Sequence, residues 1–150
     1  MKMMKQITLQ TENGFQALDL DIHFDHDNMD EASIMTIRTK YQGKEIVASG
    51  NRYPWEDAYA HLQKQLPDNV KLFCCVACRH GNSCPVGNRP DELFCTKDVA
   101  ISCENDLVYY TEDDKERQKR SKHYADHCDD FQPQTADFFT YNDYLFSLHH

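Results

Sequence analysis

The 150-residue chain carries 16 Lys/Arg against 25 Asp/Glu, a formal charge of −9, which repels phosphate backbones and argues against general nucleic-acid binding. No apolar run approaches the roughly 18 residues needed to span a bilayer. At 40% hydrophobic residues the chain reads as a folded globule rather than disorder, of a length suited to one domain with one core over residues 1–150.

The first half, residues 1–73, reads as strands and a helix. "ITLQTENGF" supplies a strand and a turn at Asn13-Gly14. In "ALDLDIHF", Leu18, Leu20, Ile22 and Phe24 alternate with Asp19, Asp21 and His23, the period of two that marks a half-buried strand with a wet acidic face. "SIMTIRTKYQGKEIVAS" predicts a hairpin turning at Gln42-Gly43. Pro54 opens a helix, where its missing N–H costs nothing. Trp55, Ala58, Tyr59, Leu62 and Leu66 give that helix one apolar face, and Pro67 closes it. The result is an antiparallel β-meander packed by one amphipathic helix.

Residues 74–150 share that core but are less regular. "NVKLFCC" predicts a strand running into the cysteines. Asn82, Pro85, Gly87, Asn88 and Pro90 predict a loop over 79–92. "KDVAISC" predicts a short strand with Val99, Ile101 and Cys103 on one face. Thr111 is placed to cap a charged helix from Glu112, with Asp114 three positions on. That helix carries Lys115, Arg117, Lys119, Arg120 and Lys122 and is expected to be a salt-bridged surface element. The aromatic tail "FQPQTADFFTYNDYLF" is expected to pack as irregular chain. The fold class is α+β, with a loop-rich, cysteine- and zinc-stabilised second half.

The segment "CCVACRHGNSC", residues 74–84, holds four of seven cysteines. The start, MKMMKQITLQTENG, has no apolar stretch of signal-peptide length, so a cytoplasmic location is expected. There, an odd and clustered thiol set points to a metal or to catalysis rather than to disulfides. Cys75-Val-Ala-Cys78 is a CxxC, whose thiolates can turn onto one tetrahedral ion. Redox pairs share the spacing but open a helix, and here a Gly/Asn/Pro loop follows, with Arg79 and Arg89 nearby. The remaining ligands come from Cys84, Cys95, Cys103, Cys128 and His80, with His123 and His127, four apart on a predicted helix, as outsiders. Cys103 reads as a small core hydrophobe, as does Cys74. His23, Asp25, His26, Asp27 and Asp30 lack the glycine and glutamate of a calcium loop and read as the acidic end of a strand.

"CCVACRHGNSCPVGN…LFC…HCDDFQPQ" resembles an uncharacterised family of small bacterial proteins. Their pattern is a CxxC, a Pro-x-Gly loop, a single Cys, and a last Cys before an acidic-aromatic-x-Pro segment. The likeness covers about residues 54–133 and departs at Cys84, where a small polar residue is expected. It implies no function, but it selects Cys75, Cys78, Cys95 and Cys128 as the ligands and leaves Cys84 as a candidate free reactive thiol. Zinc is the expected ion. Iron–sulfur ligation would use the same four thiolates.

Phosphate-binding glycine loops, GxSxG and dinucleotide fingerprints do not occur in the sequence, and no catalytic residue is assigned. The expectation is a zinc-stabilised intracellular domain that binds a protein partner, with no nucleic acid and no membrane. An acidic inhibitor or immunity-type protein masking a basic toxin is a variant of it. The alternative is a small cysteine- or metal-dependent hydrolase or redox enzyme.

Overall fold

Alternating burial organises the first half. In the computed structural model, which describes residues 1–87 and 90–150 (for Asp30 only the backbone), strands β1 (Lys2–Thr11) and β2 (Gly14–Phe24) pair antiparallel along their whole length. β1 starts at Lys2, earlier than the sequence pattern suggests. Glu12 and Asn13 form the turn, and Gly14, at φ +119°, opens β2. Leu18, Leu20, Ile22 and Phe24 are buried, as their alternation predicts. β3 (Met35–Tyr41) and β4 (Lys44–Gly50) form the second hairpin. Gln42 and Gly43 at its tip both take positive φ, +50° and +80°, the twist that a tight two-residue hairpin demands.

Helix α1 (Pro54–Gln65) buries Trp55, Ala58, Tyr59 and Leu62 against the sheet. A two-residue strand, β5 (Lys71–Leu72), then joins the far edge, giving the order β4-β3-β2-β1-β5. The expected strand "NVKLFCC" thus shrinks to two residues. Side chains of α1 reach both sheet edges. Gln63 Nε2 donates to Val70 O at 2.8 Å and its Oε1 accepts from Leu72 N at 2.8 Å. Gln65 Nε2 donates to Val47 O at 2.8 Å, and His61 Nδ1 accepts from Ser49 N at 3.1 Å. One helix can serve both edges only if the sheet curls around it. Its polar side chains occupy edge groups that would otherwise offer pairing sites.

The second half adds a small sheet, β6 (Gly81–Asn82), β7 (Leu93–Cys95) and β8 (Ser121–Lys122), and helices α2 (Glu104–Glu112), α3 (Asp114–Arg120) and α4 (Tyr144–His149). Here several expectations are corrected. Residues 81–82, inside the loop predicted over 79–92, are strand paired with 94–95, so the loop is shorter than predicted, and Asn88 and Arg89 lie outside the described residues. "KDVAISC" is not a strand: Cys103 is exposed and precedes α2 as its cap. Thr111 lies inside α2, its hydroxyl bonded back to Leu107 O. The cap of the basic helix is Asp113, which accepts from Lys115 N and Glu116 N at 3.1 Å each. Its extended ψ of 125° separates the two helices. The tail is irregular until it ends in α4.

One contiguous apolar cluster joins the parts. It includes Ile7, Leu20, Ile37 and Leu62 from the first half and Cys74, Leu93, Tyr124 and Tyr144 from the second. The molecule is therefore α+β, with a curled antiparallel sheet. Among the described residues, no helix is long and apolar enough to cross a membrane.

Candidate metal centre

After β5 the chain makes a tight knuckle. A short 3-10 turn at Cys75–Ala77 is closed by Ala77 N donating to Cys74 O at 3.0 Å and Cys78 N to Cys75 O at 3.2 Å. Gly81 N donates to Cys78 O at 3.1 Å. A Cβ on Gly81 would lie 2.2 Å from Cys75 O, so only glycine lets the backbone fold back this closely. Gly81 then pairs with Cys95 across β6 and β7. This brings the third cysteine beside the CxxC.

The fourth arrives from a distant segment. Cys78 bridges Pro133, and Arg79 N donates to Gln132 O at 2.8 Å. Phe131 N donates to Cys128 O at 3.2 Å, so Cys128 begins the turn that leads into this contact. Cys75 N in turn donates to Asp126 O at 2.7 Å. Burial pushes the Cys75 thiol up, with Cys74, Cys78, Asp126 and Cys95 adding to the effect. Burial also raises Cys78, and Cys95 and Cys128 add to it. Cys95 thus acts on both thiols of the CxxC, and Cys128 acts on Cys78. Among the described residues, no group of three or more His, Cys, Asp or Glu side chains is placed so as to hold a metal ion. The thiols share a neighbourhood without forming a finished coordination shell.

Other sequence candidates lie elsewhere. Cys74 is fully buried in the core, and its thiol is pushed up to about 12 by burial. Cys84 is half-buried rather than exposed, in the segment after β6. His80 sits edge-on to Phe138 at 5.6 Å and shares a hollow with Lys97 and Asp130, which pair at 2.7 Å. Burial lowers its imidazole, and Arg79 lowers it further. His123 and His127 are not on a helix. His123 Nδ1 lies 3.1 Å from Asp91, whereas His127 Nδ1 lies 3.2 Å from Thr8 Oγ1. In the acidic turn, Asp25 accepts from Ser33 N and Ile34 N, and His26 lies 3.0 Å from Glu31; the side chain of Asp30 lies outside the description.

Sequence reasoning missed the residues that hold the knuckle in place. Arg120, only 3% exposed, donates to Cys95 O at 3.1 Å and to Asp98 Oδ2 at 3.2 Å. It pairs with Glu116 at 2.9 Å and lies over the Tyr110 ring at 4.7 Å. The basic helix is salt-bridged as expected, with Lys119 also on Asp98 at 3.2 Å. Its last residue, Arg120, is however a buried clamp on β7. Gln134 Nε2 donates to Val76 O at 2.9 Å, and Asn142 Nδ2 to Gly81 O at 2.6 Å. Single polar residues in an irregular tail carry no periodic signal that would have marked them.

Compared with protein-family models, curated proteins and solved structures, the chain matches none.

Proposed function

We propose that the protein is a zinc-stabilised, non-enzymatic domain of the reducing cytoplasm that binds another protein, with Cys75, Cys78, Cys95 and Cys128 as the zinc ligands. What supports this reading is the backbone convergence of the knuckle with β7, which carries Cys95, and with the turn that follows Cys128. Burial makes Cys75 and Cys78 hold their protons tightly, and a divalent cation that displaces thiol protons turns binding energy into folding energy. In zinc-finger peptides that energy is about 10–16 kcal/mol, as large as the stability of a whole domain. A segment built of two- and three-residue strands is one that such a cross-link would serve. Binding would require the side chains to move, since among the described residues no three of them are placed to hold a metal ion.

Four thiolates would leave no open position on zinc, so a bound water would not be activated as it is at catalytic sites with three protein ligands. A charge of −9 suits a basic partner and steers its approach, so an acidic inhibitor of the immunity type is one form the binding role can take.

Elemental analysis of protein purified without added metal tests the reading. About one zinc per chain is expected, with chelation unfolding mainly residues after 74. Metal-free protein of unchanged stability would overturn it. Iron with visible charge-transfer absorption would replace zinc by a cluster. In cobalt-substituted protein, an exchangeable fourth ligand would favour the enzyme alternative instead.

A further inference from the structure

Against Ala77 of the knuckle lies a hollow of about 510 Å³, where β5, the 131–134 turn and α4 meet. Phe73, Phe131, Leu145 and Leu148 line it, with Tyr144 and Leu72. Phe73 and Phe131 pack ring to ring at 4.4 Å. The short α4 wall is fastened to α1 by Ser147 Oγ donating to Asp57 Oδ1. Gln63 and Gln134 also line the hollow, but their amides are committed to the backbone groups of Val70, Leu72 and Val76. Its volume and apolar lining fall within the range of small-molecule sites.

Its charge departs from the rest of the molecule. Hollows elsewhere carry aspartates: Asp98, Asp129 and Asp130 beside the cysteines, Asp137 in the tail, and Asp57 near His61. Among the described residues, no Asp or Glu lines this one, and Lys71 and His149 do. In a chain with 25 carboxylates, an apolar hollow bordered only by cationic and neutral groups has the complement of one ligand class. We infer that it binds an amphipathic carboxylate, with its aliphatic or aromatic body between Phe73, Phe131 and Leu148 and its carboxylate at Lys71. This site is separate from the thiols and does not depend on the metal reading.

The molecule's own charge makes the test selective. A net charge of −9 favours a cationic amphiphile everywhere on the surface, so a preference for the anion reports a local site. Calorimetric titration of the protein as purified, with decanoate and decylamine below their micellar concentrations, reads that preference directly. Decanoate should bind saturably at one site, about fivefold or more tighter than decylamine. Lys71→Glu, an exposed substitution, should abolish or reverse the preference, and Leu148→Ser should weaken both ligands. Equal or tighter binding of decylamine to the unaltered protein would overturn the inference. So would an anion preference that survives Lys71→Glu, or the absence of saturable decanoate binding.

Discussion

Cys74 lies among the apolar side chains of the core, while Cys75, one residue on, is grouped with Cys78 and Cys95. The extended backbone at Cys74 followed by a 3-10 turn leaves Cys74 fully buried and Cys75 only half-buried at the edge of the same core. Two sets of variants test this division. Cys95→Ser and Cys128→Ser should each lower stability by several kcal/mol, as loss of a structural metal ligand does. Cys103→Ala should change it by no more than about 0.5 kcal/mol, because Cys103 is exposed and leaves no cavity. Urea denaturation in the presence of zinc measures all three, and equal losses at Cys95 and Cys103 would remove the proposed ligand set. Glycine gives a second contrast. Gly81→Ala drives a methyl into the Cys75 carbonyl, whereas a Cβ on Gly87 meets nothing within 4 Å. The first should cost more than about 2 kcal/mol and lower metal content, and the second should be near neutral. Comparable losses would mean that the knuckle is not as tight as described.

At the level of elements, strong periodicity made the first half legible. The Leu18–Phe24 alternation, the Gln42-Gly43 turn and the Trp55–Leu66 helical stripe each encode a local geometry that packing then enforces. The second half was opaque for physical reasons. α2 buries only Leu107 and Thr111, too little of a stripe to distinguish it from loop, so Cys103 was mistaken for the end of a strand. β6, β7 and β8 hold two or three residues each and pair across long stretches of chain, which no local pattern records. The cysteine spacing, with the bacterial likeness, drew attention to four thiols. It could not reveal that Arg120, Gln134 and Asn142 position their backbone. Gln63 shows how much one unpatterned polar residue can carry. Gln63→Ala would strand two buried backbone groups, Val70 O and Leu72 N, at about 2–3 kcal/mol. Gln65→Ala frees Val47 O on the more open β4 edge and a long contact to His61 O at 3.4 Å within the helix, and should cost about 1 kcal/mol or less. Denaturation midpoints and faster amide exchange at Leu72 in the first variant alone would check this. Equal costs would show that α1 does not close the β5 edge as drawn.

For the whole molecule, the two halves are joined by a buried carboxyl on α1 as well as by the shared core. Glu56, on α1, is buried and accepts from Ser83 Oγ of the second half at 2.9 Å. Burial raises its pKa to about 7; the Ser83 bond lowers it, and the nearby charges of Asp143 and Asp57 raise it further. The Tyr124 phenol, itself raised by burial and by Glu56, lies in the same network. Between 4.5, the ordinary carboxyl value, and about 7, the folded protein holds a proton that the unfolded chain has released. Stability from this group is therefore complete below about 4.5 and is lost as pH rises through about 7, a total of about 3 kcal/mol. Zinc binding has the opposite slope, because thiolates must deprotonate to bind it, so the unaltered protein alone would give an ambiguous profile. Glu56→Gln resolves it by keeping the shape and the capacity to hydrogen-bond Ser83 while removing the charge. The stability difference between variant and parent should be small near pH 5 and should grow in favour of the variant by pH 8. A difference that stays constant across that range would show that Glu56 does not titrate between the halves.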